Sequence, residues 1–284
     1  MAHQRLTRPP RILVTNDDGI DSEGLRQLAL VARRLSPQVT VAAPAEEASG
    51  SSAALTAVEE HGRIVVTERR LAGLSDVSAQ GVEALPGFIA MVGCQGAFGS
   101  RPDLVLSGIN NGANTGHAIT HSGTVGAAVT AGVNGCRALA VSLDTGGPPR
   151  WGTAARLAAL VLPLLLETGP GTVFNLNVPN LWPDGVRGVR RAGLAAFGAV
   201  QTTLTQRGRG YIQLAVSETV ADPDLRTDAG LLAHDYAALT VLRPVSAAPW
   251  PDGLAPRVTA LVMPGAPAPD SVPEQVPGAA VPSG

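Results

Sequence analysis

Apolar residues fall along this chain in short continuous runs that alternate with stretches of helical spacing. Ile12–Thr15 is one such run, and it ends in Asn16-Asp17-Asp18 and Gly19. That is how a buried parallel strand reads when its C-terminal end opens into a loop. Glu23 to Leu35 then sets Leu25, Leu28, Leu30, Val31 and Leu35 on a single stripe, which predicts a helix with Ser22 as its N-cap. Val39–Ala43 is a second apolar strand, ending at Pro44, so the three elements make a βαβ unit. The alternation goes on with a strand at Leu104–Leu106, a small-residue helix at Val125–Val133 and a strand at Ala138–Leu143. A helix at Ala154–Leu166 and a strand at Val173–Val178 complete it. Strands alternating with helices predict an α/β fold with a mostly parallel sheet covered by helices on both faces.

The pattern changes after this. Between about residues 185 and 220, β-like stretches at Gly188–Arg191 and Tyr211–Val216 sit in turn-rich sequence and read as an antiparallel hairpin excursion. Tyr236–Leu242 returns to an alternating strand. From Ala247 onward Pro, Ala and Gly dominate. The organisation expected is an N-terminal tail over 1–10, one α/β domain over 11–245 and a Pro/Ala-rich tail over 246–284.

Composition narrows the class. Of 284 residues, 45% are hydrophobic and 15% charged, enough for a substantial core. A net charge of −2 gives no basic footprint, so neither a nucleic-acid duplex nor an anionic membrane is an expected partner. Every basic residue other than histidine is arginine. Cys94 and Cys136 lie far apart without zinc-type spacing, which argues against a disulfide framework and fits a reducing cytoplasm. The apolar run Leu157–Leu166 is too short to span a bilayer, and Met1 to Pro10 lacks the apolar core of a secretory signal.

Candidate chemistry lies in four polar clusters. Each follows a predicted strand or stands before the helix beginning near Val125. The adjacent carboxylates Asp17 and Asp18 repel one another and suit a shared divalent cation, although Asp-Asp-Gly is equally good turn chemistry. Ala48-Ser49-Gly50-Ser51-Ser52 offers hydroxyl oxygens and backbone N–H groups, or is a plain Ser/Gly loop. Ser107-Gly108-Ile109-Asn110-Asn111-Gly112-Ala113-Asn114 carries amide oxygens able to ligate a hard cation. His121-Ser122-Gly123-Thr124 precedes the Val125 helix, where Ser122 or Thr124 can cap it and its N–H groups can seat a phosphate. His121 reads as a loop residue rather than a proton donor.

Taken together, ILVTNDDGI, APAEEASGSSAALT, RPDLVLSGINNGANTG, SGTVGAAVTAG, ALAVSL and FNLNVP, with Thr227-Asp228 and the strand from Tyr236 behind them, resemble the SurE family of 5′/3′-nucleotidases and phosphatases. The resemblance runs from about Arg11 to Pro244. It implies a Rossmann-like core and a divalent cation, Mg²⁺ or Mn²⁺, held by Asp17, Asp18, Ser49 and Asn110. It further implies phosphate-side elements at Asn114, Ser122, Gly123 and Thr124, and a homodimer or homotetramer supported by the hairpin. The expected reaction is hydrolysis of a phosphate monoester, with Asp17 or Asp18 as base or nucleophile.

This chain departs from the family at two places. Ala45-Glu46-Glu47-Ala48 stands where an arginine-bearing stretch is usual, and Leu85-Pro86-Gly87-Phe88-Ile89 replaces a Thr-Pro-x-Asp-Cys segment. Two alternatives to a nucleotidase therefore remain: a phosphatase for a non-nucleotide phosphate, and a metal- or nucleotide-binding protein without turnover.

Overall fold

The computed structural model describes residues 8–57, 59–60, 63–196, 200–208, 211–218 and 224–247, with the backbone alone for 59–60, 200–208 and 211–218. The chain divides into two units, Met1–Val245 and Ser246–Gly284. Most of the two expected tails, residues 1–7 and 248–284, lies outside the described residues.

In chain order the elements are β1 (Ile12–Thr15), α1 (Glu23–Leu35), β2 (Val39–Pro44), β3 (Glu59–Glu60), β4 (Arg63–Ile64), β5 (Val66–Arg69), β6 (Ser78–Val82), α2 (Pro86–Cys94), β7 (Leu104–Asn111), α3 (Gly123–Val133), β8 (Arg137–Leu143), α4 (Trp151–Leu166), β9 (Val173–Val178), β10 (Val189–Arg191), β11 (Val200–Gly208), β12 (Tyr211–Glu218), α5 (Asp228–Leu232) and β13 (Ala237–Leu242). Among the described residues, nine strands form one sheet in the order β10-β13-β9-β8-β7-β1-β2-β6-β5. The six strands from β9 to β6 are parallel, while β13 and β5 add antiparallel strands at the two sides.

Alternating side chains feed two core layers. Ile12 and Val14 join Leu25 and Leu28 of α1 and Leu162 and Leu165 of α4 on one face. Leu13 points the other way, toward Ile89 of α2 and Val125, Ala128 and Ala131 of α3. Burial on both faces is why these strands carry uninterrupted apolar runs. Ser22 caps α1 as expected, its hydroxyl accepting from the Leu25 N–H.

The hairpin expectation needs correcting in one respect. Val189–Arg191 pairs parallel with β13 at the end of the main sheet rather than joining an antiparallel excursion. The Ala237 N–H donates to the Gly188 carbonyl and fixes that pairing. The antiparallel hairpin is instead β11 with β12, a two-stranded sheet of its own. The outermost strands of the main sheet, β5 and β10, carry Glu68 and Arg69, and Arg190 and Arg191. From β1 the chain passes through α1 to β2 on one side, while β7 lies on the other. The C-terminal ends of β1 and β7 thus flank the place where strand order reverses, which in open α/β sheets is where ligands bind.

Candidate active site

Asp17 and Asp18 follow β1 directly, and Asn110 lies at the end of β7 beside them in the sheet. The Ala48 N–H donates to the Asp17 carbonyl at 2.7 Å, which draws the loop after β2 over the same edge. Four of the sequence clusters therefore meet at one place: those of Asp17, Ser49, Asn110 and Ser122.

Asp17 is 4% exposed and faces the first turn of α3. The Thr124 N–H donates to its Oδ2 at 3.0 Å, and the Thr124 hydroxyl donates to its Oδ1. Burial raises the Asp17 pKa, and the Thr124 bonds oppose that rise. Ser122 Oγ meanwhile accepts from the Val125 N–H at 3.1 Å. Ser122 is thus the N-cap and Thr124 an anchor for Asp17, so α3 turns its positive end on a carboxylate. Gly123 makes this approach possible, since a Cβ there would stand 2.8 Å from Asp17 Oδ2 and 2.7 Å from Ser51 Oγ. Gly126 does the same one turn on, where a Cβ would be 2.3 Å from the Ser52 carbonyl oxygen.

The Asp18 carboxyl is pushed up to about 6, chiefly by burial, then by the Asp17 and Glu47 charges, with the Asn111 N–H pulling it down. Ser49 Oγ donates to Glu47 Oε1 at 2.7 Å, so Glu47 belongs to the same cluster. The Asn110 amide donates to the Gly112 carbonyl at 2.7 Å, which fixes the orientation of its side chain.

Asn114 sits further along, over β8 and β9. Its side-chain amide donates to Ser142 Oγ at 2.8 Å and its N–H to Asn177 Oδ1 at 2.7 Å. Asn175 and Asn177 both donate to its carbonyl, at 3.0 and 2.8 Å. From sequence, Asn114 is an expected phosphate-side residue and FNLNVP part of the resemblance, but no role for Asn175 or Asn177 is read. The signal was Asn175 and Asn177 at alternate positions of an apolar strand, which puts both on one face. Asp228 is a second such case: fully buried, it accepts from the Gly116 and Ala195 N–H groups, each at 2.9 Å. His121 is exposed at the end of a 3-10 turn over Gly116–His121.

The donor set suits a hard divalent cation. Neither Asp17 nor Asp18 has an ion-pair partner among the described residues. Thr15 Oγ1 and Ser107 Oγ, on paired residues of β1 and β7, are buried without hydrogen-bond partners among the described residues, as are Asn16 Oδ1 and Ser51 Oγ. Carboxylate, hydroxyl and amide oxygens gathered at one edge of the sheet match Mg²⁺ or Mn²⁺ and not a soft metal. No group of three or more His, Cys, Asp or Glu side chains gathers as a metal cluster among the described residues. A cation here would draw on two carboxylates plus neutral oxygens.

Comparison with known proteins bears on this arrangement. The family model for Survival protein SurE matches residues 12–201. A protein named 5′-nucleotidase SurE from Methylorubrum populi is 36% identical over 247 residues, spanning 82% of this chain and 92% of its own length. One of the same name from Syntrophobacter fumaroxidans is 32% identical over 237 residues, spanning 81% and 92%. The crystal structure of Sure protein from Aquifex aeolicus matches with a TM-score of 0.67 at 28% identity, covering 83% of this chain and 94% of that one. The chain belongs to the SurE family.

Proposed function

We propose that the protein is a divalent-metal-dependent phosphomonoesterase that hydrolyses nucleoside monophosphates to nucleoside and phosphate. The observation that carries this reading is the buried Asp17 beside the half-buried Asp18, neither with a cationic partner among the described residues, at the β1/β7 switch point. The names of the matching relatives support a nucleotidase or phosphatase activity.

In this reading Asp17, Asp18, Ser49 and Asn110 hold the cation. When bound, it polarises a phosphoryl oxygen and acidifies a water. Thr124 and the α3 N-terminus aim Asp17 and oppose the rise that burial imposes on its carboxyl. Glu47 accepts the hydrogen bond of the Ser49 hydroxyl, which commits that group's proton and leaves its oxygen able to act as a ligand. Asp17 or Asp18 is the candidate base or nucleophile, and the metal-free rise of the Asp18 carboxyl to about 6 is what a bound cation would reverse. Asn114 and the Ser122-Gly123-Thr124 turn form the phosphate side. Among the described residues no helix is long and apolar enough to cross a membrane. A cytoplasmic location and a homodimer or homotetramer belong to the same proposal. A two-stranded sheet such as β11–β12 needs a surface to pack on, which supports assembly.

The test is phosphate release from a panel of nucleotides with Mg²⁺ or Mn²⁺. Asp18→Asn is expected to lower kcat by roughly 10³-fold while the folded protein's circular dichroism is retained. Wild type and variant equally inactive over the whole panel would refute the enzymatic reading.

A second reading concerns the substrate. A recess of about 180 Å³ beside the Ser49 loop is lined by Glu46, Glu47 and Glu83 together with Ala45, Thr56 and Leu85. Three carboxylates line it, with no cation among the described residues, which disfavours a substrate with anionic groups beyond one phosphate monoester and leaves a neutral non-nucleotide ester as the second reading. Sugar phosphates and other phosphomonoesters in the same panel separate the two.

A further inference from the structure

Cys94 and Cys136 are separated by 42 residues, yet their Sγ atoms lie 3.1 Å apart. Cys94 closes α2 and Cys136 stands immediately before β8, so the pair joins a helix to the N-terminal edge of the sheet. Both thiols are free, at 3% and 2% exposure. We propose that this buried pair is an oxidisable dithiol that a small peroxide closes into a disulfide, stapling α2 to β8, and that a thiol reductant reopens it.

Three features of the surroundings favour the reaction. The side chains already meet, so closure calls for no rearrangement of the backbone on the scale that distant cysteines would need. The Cys136 thiol donates to Cys94 Sγ in the resting pair; once it gives up that proton, a bond returned by the Cys94 thiol, followed by the nearby charge of Arg101, favours its thiolate against the opposing effect of burial. The same bond and burial raise Cys94, so the pair presents one sulfur as nucleophile and the other as thiol. A cleft of about 180 Å³ lined by Gly93, Phe98, Ser100 and Pro102 adjoins the pair. Gly93 precedes Cys94, and the Pro102 carbonyl accepts from Cys136 Sγ at 3.3 Å, so one layer of residues separates the cleft from the sulfurs and peroxide must cross it.

The chemistry balances with hydrogen peroxide as the named oxidant. The Cys136 thiolate attacks one peroxide oxygen, the O–O bond breaks, and hydroxide leaves and takes a proton to become water. The resulting sulfenic acid is attacked by Cys94; the S–S bond forms, the S–O bond breaks, and the second water leaves with the Cys94 proton. Two electrons pass from sulfur to oxygen. The staple lies at the N-terminal ends of β7 and β8, opposite the Asp17–Asp18 edge, so it acts on the fold rather than on the substrate site.

The experiment treats the intact protein with hydrogen peroxide, then measures mass, free thiols after denaturation, and Tm with and without dithiothreitol. Expected results are a mass lower by about 2 Da, no titratable thiol and a Tm higher on the order of 10 °C, all reversed by the reductant. Cys94→Ser and Cys136→Ser should each abolish the peroxide-dependent rise in Tm. Two thiols still titratable after treatment, or a disulfide that leaves Tm unchanged, would overturn the proposal. Mass and thiol count on the wild type decide the matter even if a serine variant does not fold.

Discussion

At the scale of single residues, Asp18 sets stability against function. Its carboxyl is raised because burial and two neighbouring carboxylates disfavour the charge. A carboxyl raised in the fold is ionised at lower pH in the unfolded chain, so its contribution to stability is full below about pH 4 and lost as pH rises through about 6. Asp18→Asn is therefore expected to stabilise the protein at pH 7 by about 2 kcal/mol in a chelator, even as it removes activity. Denaturant titrations at pH 4.5 and 7 check this, since the gain should shrink at the lower pH. Gly123→Ala is the steric counterpart: its methyl would displace Asp17 or Ser51, at a cost of about 1–3 kcal/mol, with activity falling alongside. The acidic pair and the Ser122 cap were legible in sequence because each follows or precedes a regular element; Asn110, expected in a loop after a strand ending at Leu106, lies within β7, which runs on to Asn111. The roles of Asp228 and of the Asn175–Asn177 pair were not legible, although Thr227-Asp228 and FNLNVP carry the resemblance, since their partners are backbone groups 33 to 112 residues away.

Elements were legible where periodicity was clean. The ranges expected for α1 and β9 are those observed, and α3 and α4 begin only two and three residues earlier than expected. α2 escaped because Pro86–Cys94 is apolar almost all round and presents no polar face from which to read a period. β5 and β6 escaped as short strands of mixed polarity near the sheet's edge, where one-sided burial leaves little pattern. The connections between elements also carry a testable load. Asp228 ties the 3-10 turn before α3 to the chain at Ala195, leading toward the β11–β12 hairpin, through Gly116 and Ala195. An Asp228→Asn amide keeps one oxygen but aims an N–H₂ at a backbone donor, so a loss of about 2 kcal/mol is expected, read as a lower Tm. Accelerated amide hydrogen exchange at Gly116 and Ala195 would locate the damage.

At the scale of the whole molecule, sheet order was beyond the sequence, because pairings such as β1 with β7 join residues about ninety positions apart. The fold class was within reach, since alternation of strand and helix leaves few ways to cover a parallel sheet. One long-range link is electrostatic. Asp103 accepts from the Arg8 guanidinium and from the Arg11 N–H and guanidinium, tying the entry of β1 to that of β7. Burial works against its charge, but the arginine bonds win and hold its carboxyl down at about 2. A lowered carboxyl stabilises above its unfolded value and loses that contribution as pH falls, here from about 4 toward 2. Asp103→Asn should cost about 1–2 kcal/mol at pH 7 and nothing near pH 2, as acid and urea titrations would show. The charged outer strands have a consequence of another kind. An open sheet exposes unpaired N–H and C=O groups along its rims, each a template on which another chain can add a strand. Glu68 and Arg69 on one rim and Arg190 and Arg191 on the other would have to be desolvated by such an addition. These four side chains act as gatekeepers against edge-to-edge aggregation, and a chain with threonines in their place would be the one to form fibres on storage.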